Sequence, residues 1–160
     1  ASTEDGDTSL HLAAKDGHIE VLRVLTAAVP AEDLGPVNSR GIDALMVAAY
    51  SGRLPVVQFL LSLPGDAATG EAGERQAAGM ATLAFDPAKA DLEGMTALHQ
   101  AAAGGQVEVV RELQALPDAP RLVALKSANG QTCLHKAAMG ATRGHVECVK
   151  LLAGPEACQI

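Results

Sequence analysis

The sequence predicts an all-α solenoid: four helix-turn-helix units stacked side by side, joined by extended fingers, in one domain of 160 residues. Three observations predict it. One phrase is written four times, as Gly6-Asp7-Thr8-Ser9-Leu10-His11-Leu12-Ala13-Ala14, Gly41-Ile42-Asp43-Ala44-Leu45-Met46-Val47-Ala48-Ala49, Gly94-Met95-Thr96-Ala97-Leu98-His99-Gln100-Ala101-Ala102 and Gly130-Gln131-Thr132-Cys133-Leu134-His135-Lys136-Ala137-Ala138. Within each copy the apolar residues keep helical spacing. Each copy then leads to a glycine and a second apolar run: Gly17 to Leu22, Gly52 to Val57, Gly105 to Val110 and Gly144 to Val149. Repetition on this scale marks units that bury their apolar faces by stacking.

The elements follow in order. Thr8, Asp43, Thr96 and Thr132 each precede an apolar run, and Thr and Asp cap helix starts because their side-chain oxygens accept from unpaired amides. Leu10, Ala13 and Ala14 give i, i+3, i+4 spacing and one helix face. The paired alanines let neighbouring helices approach closely. Gly17, Gly52, Gly105 and Gly144 are expected to end the first helices, since glycine tolerates the left-handed conformation at a C-terminal cap. The second helices are expected to bury Ile19, Leu22 and Leu25 in copy one and Val146, Val149 and Leu152 in copy four. Pro55 falls in a first helical turn, where a missing amide is tolerated.

The four phrases resemble the ankyrin signature Thr-Pro-Leu-His-x-Ala, and the resemblance covers nearly the whole chain. The leading glycines stand 35, 53 and 36 residues apart, and two of these spacings lie close to the ankyrin period of about 33. The resemblance implies an ankyrin-repeat solenoid whose function is non-catalytic binding of a protein partner through its concave face, as adaptor, scaffold or inhibitor. The alternative is a regulatory or targeting domain of a larger protein, an enzyme or a channel. Departures are local. Ser9, Ala44, Ala97 and Cys133 replace the signature proline, and copy two has Asp43 for Thr and Met46 for His.

Composition narrows the function classes. The chain is 48% apolar but only 2% aromatic, with no Trp, so small aliphatic residues must fill its core. That suits close helix pairs better than a deep ligand pocket. The net charge of −7 argues against a phosphate backbone, which needs clustered Lys and Arg, and against an anionic membrane surface. No apolar run approaches the roughly 20 residues of a membrane-spanning helix. Residues Ala1 to Gly6 are acidic and unlike a signal peptide. Cys133, Cys148 and Cys158 form neither a CxxC pair nor a zinc spacing, so they are read as small buried thiols in a reducing compartment. The expected location is cytoplasmic, with the nucleus as the alternative. The expected partner is a protein and the expected state a monomer, with no cofactor, metal, nucleic acid or membrane insertion.

The repeat also accounts for the histidines. His11, His99 and His135 hold one slot, and His18 and His145 another. In ankyrin proteins the first slot resembles a structural histidine that bonds between neighbouring turns. Equivalent slots lie on the order of 10 Å apart by helix packing, too far for shared metal coordination near 2.0–2.1 Å. Glu20, Glu108 and Glu147 also share a slot, expected in the first turn of the second helix, where a carboxylate complements the dipole. No GxSxG, GxxxxGK[ST], GxGxxG or HExxH motif occurs. The chain is not expected to be an enzyme.

Function is therefore expected where the copies differ. On the first helices these positions read Asp7, Leu12, Lys15 and Asp16, then Ile42, Val47, Tyr50 and Ser51, then Met95, Gln100, Ala103 and Gly104, then Gln131, Lys136, Met139 and Gly140. The resemblance places them on the concave groove, with finger tips at Arg40, Glu93 and Asn129. The partner-binding residues expected from this are Lys15, Asp16, Arg40, Ile42, Tyr50, Glu93, Met95, Gln100, Asn129, Gln131, Lys136 and Met139. The centre is apolar and the ends polar, the layout of a binding hot spot with its rim.

The repeats run roughly over 5–37, 38–63, 91–123 and 127–160, with an insertion over 64–90. Its stretch from Gly65 to Gly79 is rich in Gly, Ala and charge, and the insertion is either a tolerated surface loop or a recognition element. Residues Glu71 to Ala78 suit a short helix, docked by Met80, Leu83 and Phe85. A smaller insertion, Ala141-Thr142-Arg143, is expected to lengthen the fourth helix turn and is given no role. Pro155 ends the last helix. That helix presents Val149 and Leu152, for Cys158 and Ile160 or further sequence to cover.

Overall fold

A computed structural model describes residues 4–29, 37–63 and 85–154. The expected helix at 71–78, the docking residues Met80 and Leu83, and Pro155, Cys158 and Ile160 lie outside them. The described residues form helices only: α1 (Ser9–Asp16) and α2 (Ile19–Ala28), α3 (Ala44–Ser51) and α4 (Leu54–Ser62), α5 (Ala97–Ala103) and α6 (Val107–Gln114), then α7 (Ala119–Ala124), α8 (Cys133–Ala138) and α9 (Arg143–Leu152). The first helices α1, α3, α5 and α8 pack in one row, and α2, α4, α6 and α9 in a second row behind them.

The helix starts are as the sequence requires. Thr8, Asp43, Thr96 and Thr132 are N-caps with extended backbone. Asp43 accepts the amide of Met46 at 3.0 Å. In the other three copies the N–H of the cap residue donates to the Nδ1 of the histidine three residues on, at 3.1, 3.4 and 3.3 Å. A ring nitrogen that accepts an amide carries no proton, so each proton sits on Nε2. His11 uses it to reach the carbonyl of Ile42 at 2.8 Å, and His99 that of Gln131 at 3.2 Å. These rings therefore tie one repeat to the next finger. Gly17 and Gly52 end α1 and α3 at φ of 82° and 70°.

The core is built from small residues. Ala13, Ala14, Ala48, Ala49, Ala101 and Ala102 are all buried, which brings the first row close together. Leu22, Val57, Val110 and Leu113 fill the gap between the rows. Phe85, at the distal end of the insertion, is buried. A further tie joins the helix turns. Arg53 Nε donates to the carbonyl of Lys15, Gln106 Nε2 to that of Tyr50, and His145 Nε2 to that of Ala103, at 3.0, 3.0 and 2.8 Å.

The fourth repeat departs from expectation. Gly144 does not end a helix but lies inside α9. Helix α8 stops at Ala138, and the inserted Thr142 becomes the cap of α9. Thr142 Oγ1 stands 2.6 Å from His145 Nδ1, so the three-residue insertion has a structural role. A Cβ at Gly144 would strike the carbonyl of Gly105. The earlier helix start also moves Glu147 out of the first turn, where it accepts from Lys150 Nζ at 2.8 Å. His18 and His145 share a slot but not a role, for His18 is exposed and His145 buried. Val146 is exposed rather than buried. Helix α7 was not expected. Asp118 precedes it and Pro120 lies in its first turn, and Leu122 anchors it in the core.

Candidate partner-binding cleft

The fingers are tight turns with a shared chemistry. Gly41 N–H donates to the Asn38 carbonyl, Gly94 to Asp91 and Gly130 to Ser127. The first side chain of each turn accepts from the backbone beyond it. Asn38 Oδ1 takes the amides of Arg40 and Ile42, Asp91 Oδ1 those of Glu93 and Met95, and Ser127 Oγ that of Gln131. Asn, Asp and Ser suit this position because a short polar side chain can mimic a backbone acceptor. Successive fingers are joined by backbone bonds of Ser39 N–H to Asp5 O, Leu92 N–H to Arg40 O and Ala128 N–H to Glu93 O, at 3.0, 3.0 and 2.8 Å.

Between these fingers and the first row of helices lies a cleft of about 480 Å³. Its apolar lining is Ile42, Met46, Val47, Tyr50 and Met95, and its polar lining includes Asp5, Asp7, Lys15, Asn38, Arg40, Ser51, Asp91, Glu93 and Gln100. Tyr50 is 54% exposed although it sits on a helix whose opposite face is wholly buried. Arg40 Nη2 and Asp5 Oδ1 lie 3.4 Å apart on the rim, a pair exposed on both sides and so of small energetic weight.

Seven of the twelve expected residues line this cleft: Lys15, Arg40, Ile42, Tyr50, Glu93, Met95 and Gln100. Gln100 is a correction in one respect. It is only 7% exposed, and its Nε2 donates to Asp91 Oδ2 at 3.0 Å. Its amide is occupied in bracing the third finger against α5, because a buried carboxylate needs its remaining acceptor satisfied. Asp16 and Asn129 are exposed outside the cleft, as is Met139, while Gln131 and Lys136 are half-buried on the fourth repeat. The cleft also recruits Asp5, Asn38, Met46 and Asp91, which sequence comparison of the helices alone overlooked. The signal that finds the turn residues is an Asn, Asp or Ser three residues before Gly41, Gly94 and Gly130.

Four buried groups outside the cleft carry shifted pKa values. Burial raises the carboxyl of Asp43 above its ordinary 3.8, against the lowering pull of the Met46 amide. Burial lowers His99 below 6.5, opposed by the carbonyl of Gln131. The Cys133 thiol is pushed up to about 11 by burial, and that of Cys148 is raised for the same reason. Among the described residues no group of three or more His, Cys, Asp or Glu is placed to hold a metal ion. None of their helices is long and apolar enough to cross a membrane.

The family model of ankyrin repeats, in three copies, matches residues 1–69 and 74–160. The chain belongs to the ankyrin-repeat family. Ankyrin repeats are in general protein–protein interaction modules, typically without catalytic activity. No curated protein matches the chain.

Proposed function

We propose that the chain is a non-catalytic binding module, an adaptor, scaffold or inhibitor, that takes a protein partner in the concave cleft between its finger tips and its first row of helices. The supporting observation is the exposed Tyr50 ring beside Ile42, Val47 and Met95, in a cleft rimmed by charges of both signs. An aromatic anchor on an apolar floor with a polar border is the arrangement in which a few residues carry most of the binding energy. The rim carries acidic Asp5, Asp7 and Glu93 and basic Lys15 and Arg40, which would orient a partner rather than supply bulk affinity. In this reading Asn129, Gln131, Lys136 and Met139 would extend the binding face along the fourth repeat, with Asp16 at its first-repeat end.

The test compares proteins captured from native lysate by the intact chain, by a Tyr50→Ala, Lys15→Ala, Glu93→Ala variant and by a control variant altered at Arg111 on the second row. Loss of one captured protein from the triple variant alone supports the cleft. Equal capture by all three, with unchanged helicity, moves recognition elsewhere.

A further inference from the structure

The two ends of the stack are the two halves of the junction that the chain makes internally three times. Each junction has a leading face, presented by the later repeat, and a trailing face, presented by the earlier one. On the leading side, Val56, Val109 and Cys148 occupy one slot and are 0%, 1% and 0% exposed. In repeat one the same slot is Val21, at 49%. Ser9 is likewise exposed where Ala44, Ala97 and Cys133 are buried.

The trailing side shows the converse. His11 and His99 give their Nε2 protons to a carbonyl of the next finger, whereas among the described residues the Nε2 of His135 meets none. The missing Cβ of Gly6 faces Ser39 N at 3.2 Å and that of Gly41 faces Leu92 N at 3.0 Å, but Gly130 has nothing within 4 Å. The carbonyls of Asp5, Arg40 and Glu93 each accept an amide of the next finger, and none of the described residues donates to that of Asn129. Ala138 is exposed where Ala14, Ala49 and Ala102 are buried. Val146 is 53% exposed at the slot that Ile19, Leu54 and Val107 keep half-buried.

We propose that a second copy of this chain stacks head-to-tail on the first, its repeat one seated on repeat four as each repeat is seated on the one before it. The complement that each face requires is on the page, because the other end of the chain carries it. By position, Asp7 O replaces Ile42 O as acceptor for His135 Nε2–H, and Glu4 N–H replaces Ser39 N–H as donor to Asn129 O. Val21 takes the place of Val56 against the helix bearing Val146 and Val149. The contact is heterologous, so it leaves a free face at each end and adds copies as concentration rises. It is an alternative to the monomer expected from the sequence, and it meets the cleft lining at Asp7, whose carbonyl it would use.

Sedimentation of the 160-residue chain tests this. The weight-average mass is expected to rise with concentration above the 16.3 kDa of one chain. Val21→Lys spoils only the leading face and Val146→Lys only the trailing face, both at exposed positions, so each variant alone stays at the mass of one chain with unchanged helicity. Mixed in equal amounts they still offer one intact pair of faces, and a one-to-one dimer forms that grows no further. Tyr50→Ala associates like the parent chain. A parent chain that remains at 16.3 kDa up to about millimolar concentration, the weak end of specific association, overturns the proposal. So does association that survives Val21→Lys, or a mixture of the two lysine variants that yields no dimer.

Discussion

The Nε2 of His145 lies 2.8 Å from the carbonyl oxygen of Ala103, bridging α9 to the end of α5. The ring is buried and its other nitrogen is held by Thr142, so truncation leaves a carbonyl without its donor and a gap behind it. His145→Ala is expected to lower unfolding free energy by about 1–3 kcal/mol. His145→Gln is expected to keep most of it, because Gln106 makes the equivalent bridge to Tyr50 with an amide. Urea denaturation of the three proteins checks this. An alanine variant as stable as the parent would show that the bridge contributes nothing net.

Gly94 and Gly130 share a φ of +73° and differ only in what stands beside them. A Cβ at Gly94 would press on the backbone of Ala128, whereas one at Gly130 meets open space. Gly130→Ala is expected to cost about 1 kcal/mol for the left-handed backbone alone. Gly94→Ala should cost clearly more, since finger four must shift. Equal midpoints in thermal melts would mean that the fingers yield without resistance.

Acid should loosen the stack. The folded chain holds His99 below its ordinary 6.5, so below that pH the unfolded chain binds more protons. Stability from this group is complete above about 6.5 and declines as pH falls toward the lower folded value. A single group changes the free energy by no more than about 1.4 kcal/mol per pH unit. Urea midpoints measured between about pH 7.5 and 5.5 should fall, and the fall should be shallower in His99→Gln. An equally steep decline in that variant would assign the acid sensitivity to other groups.

Asp43 caps α3 from a buried position, and burial raises its carboxyl above 3.8. A raised value means that its ionised form is disfavoured on folding, with stability present below 3.8 and lost as pH rises through the folded value. Asp43→Asn keeps an oxygen for the Met46 amide and removes the charge. It is expected to be as stable as the parent or more so at neutral pH, while Asp43→Ala loses the cap and about 1 kcal/mol. An asparagine variant weaker than the alanine variant would contradict this.

The scaffold was legible because its four copies repeat the same physical instructions: a capping Thr or Asp, an apolar face and a glycine. What escaped was decided by single departures from the pattern. Gly144 looked like its counterparts, but Thr142 offered an earlier helix start, and the helix took it. Gln100 looked like a solvent-facing variable residue, yet Asp91 lies in reach of its amide, a contact between positions nine apart that no helical period predicts. Helix α7 carried its own start signal in Asp118 and Pro120, outside the repeated phrase. The cleft draws on three repeats at once, so only a stacked arrangement could bring Lys15, Tyr50 and Glu93 together.

The backbone bonds between fingers bear on the entropy of recognition. Asp5, Ser39, Arg40, Leu92, Glu93 and Ala128 are linked in series by main-chain atoms, so the rim has little conformational freedom left to surrender when a partner arrives. Ordering a loose loop on association commonly consumes part of the gross interaction energy. A rim already braced in this way resembles a fixed jaw, against which selectivity arises from a partner's shape and charge rather than from adjustment by the host.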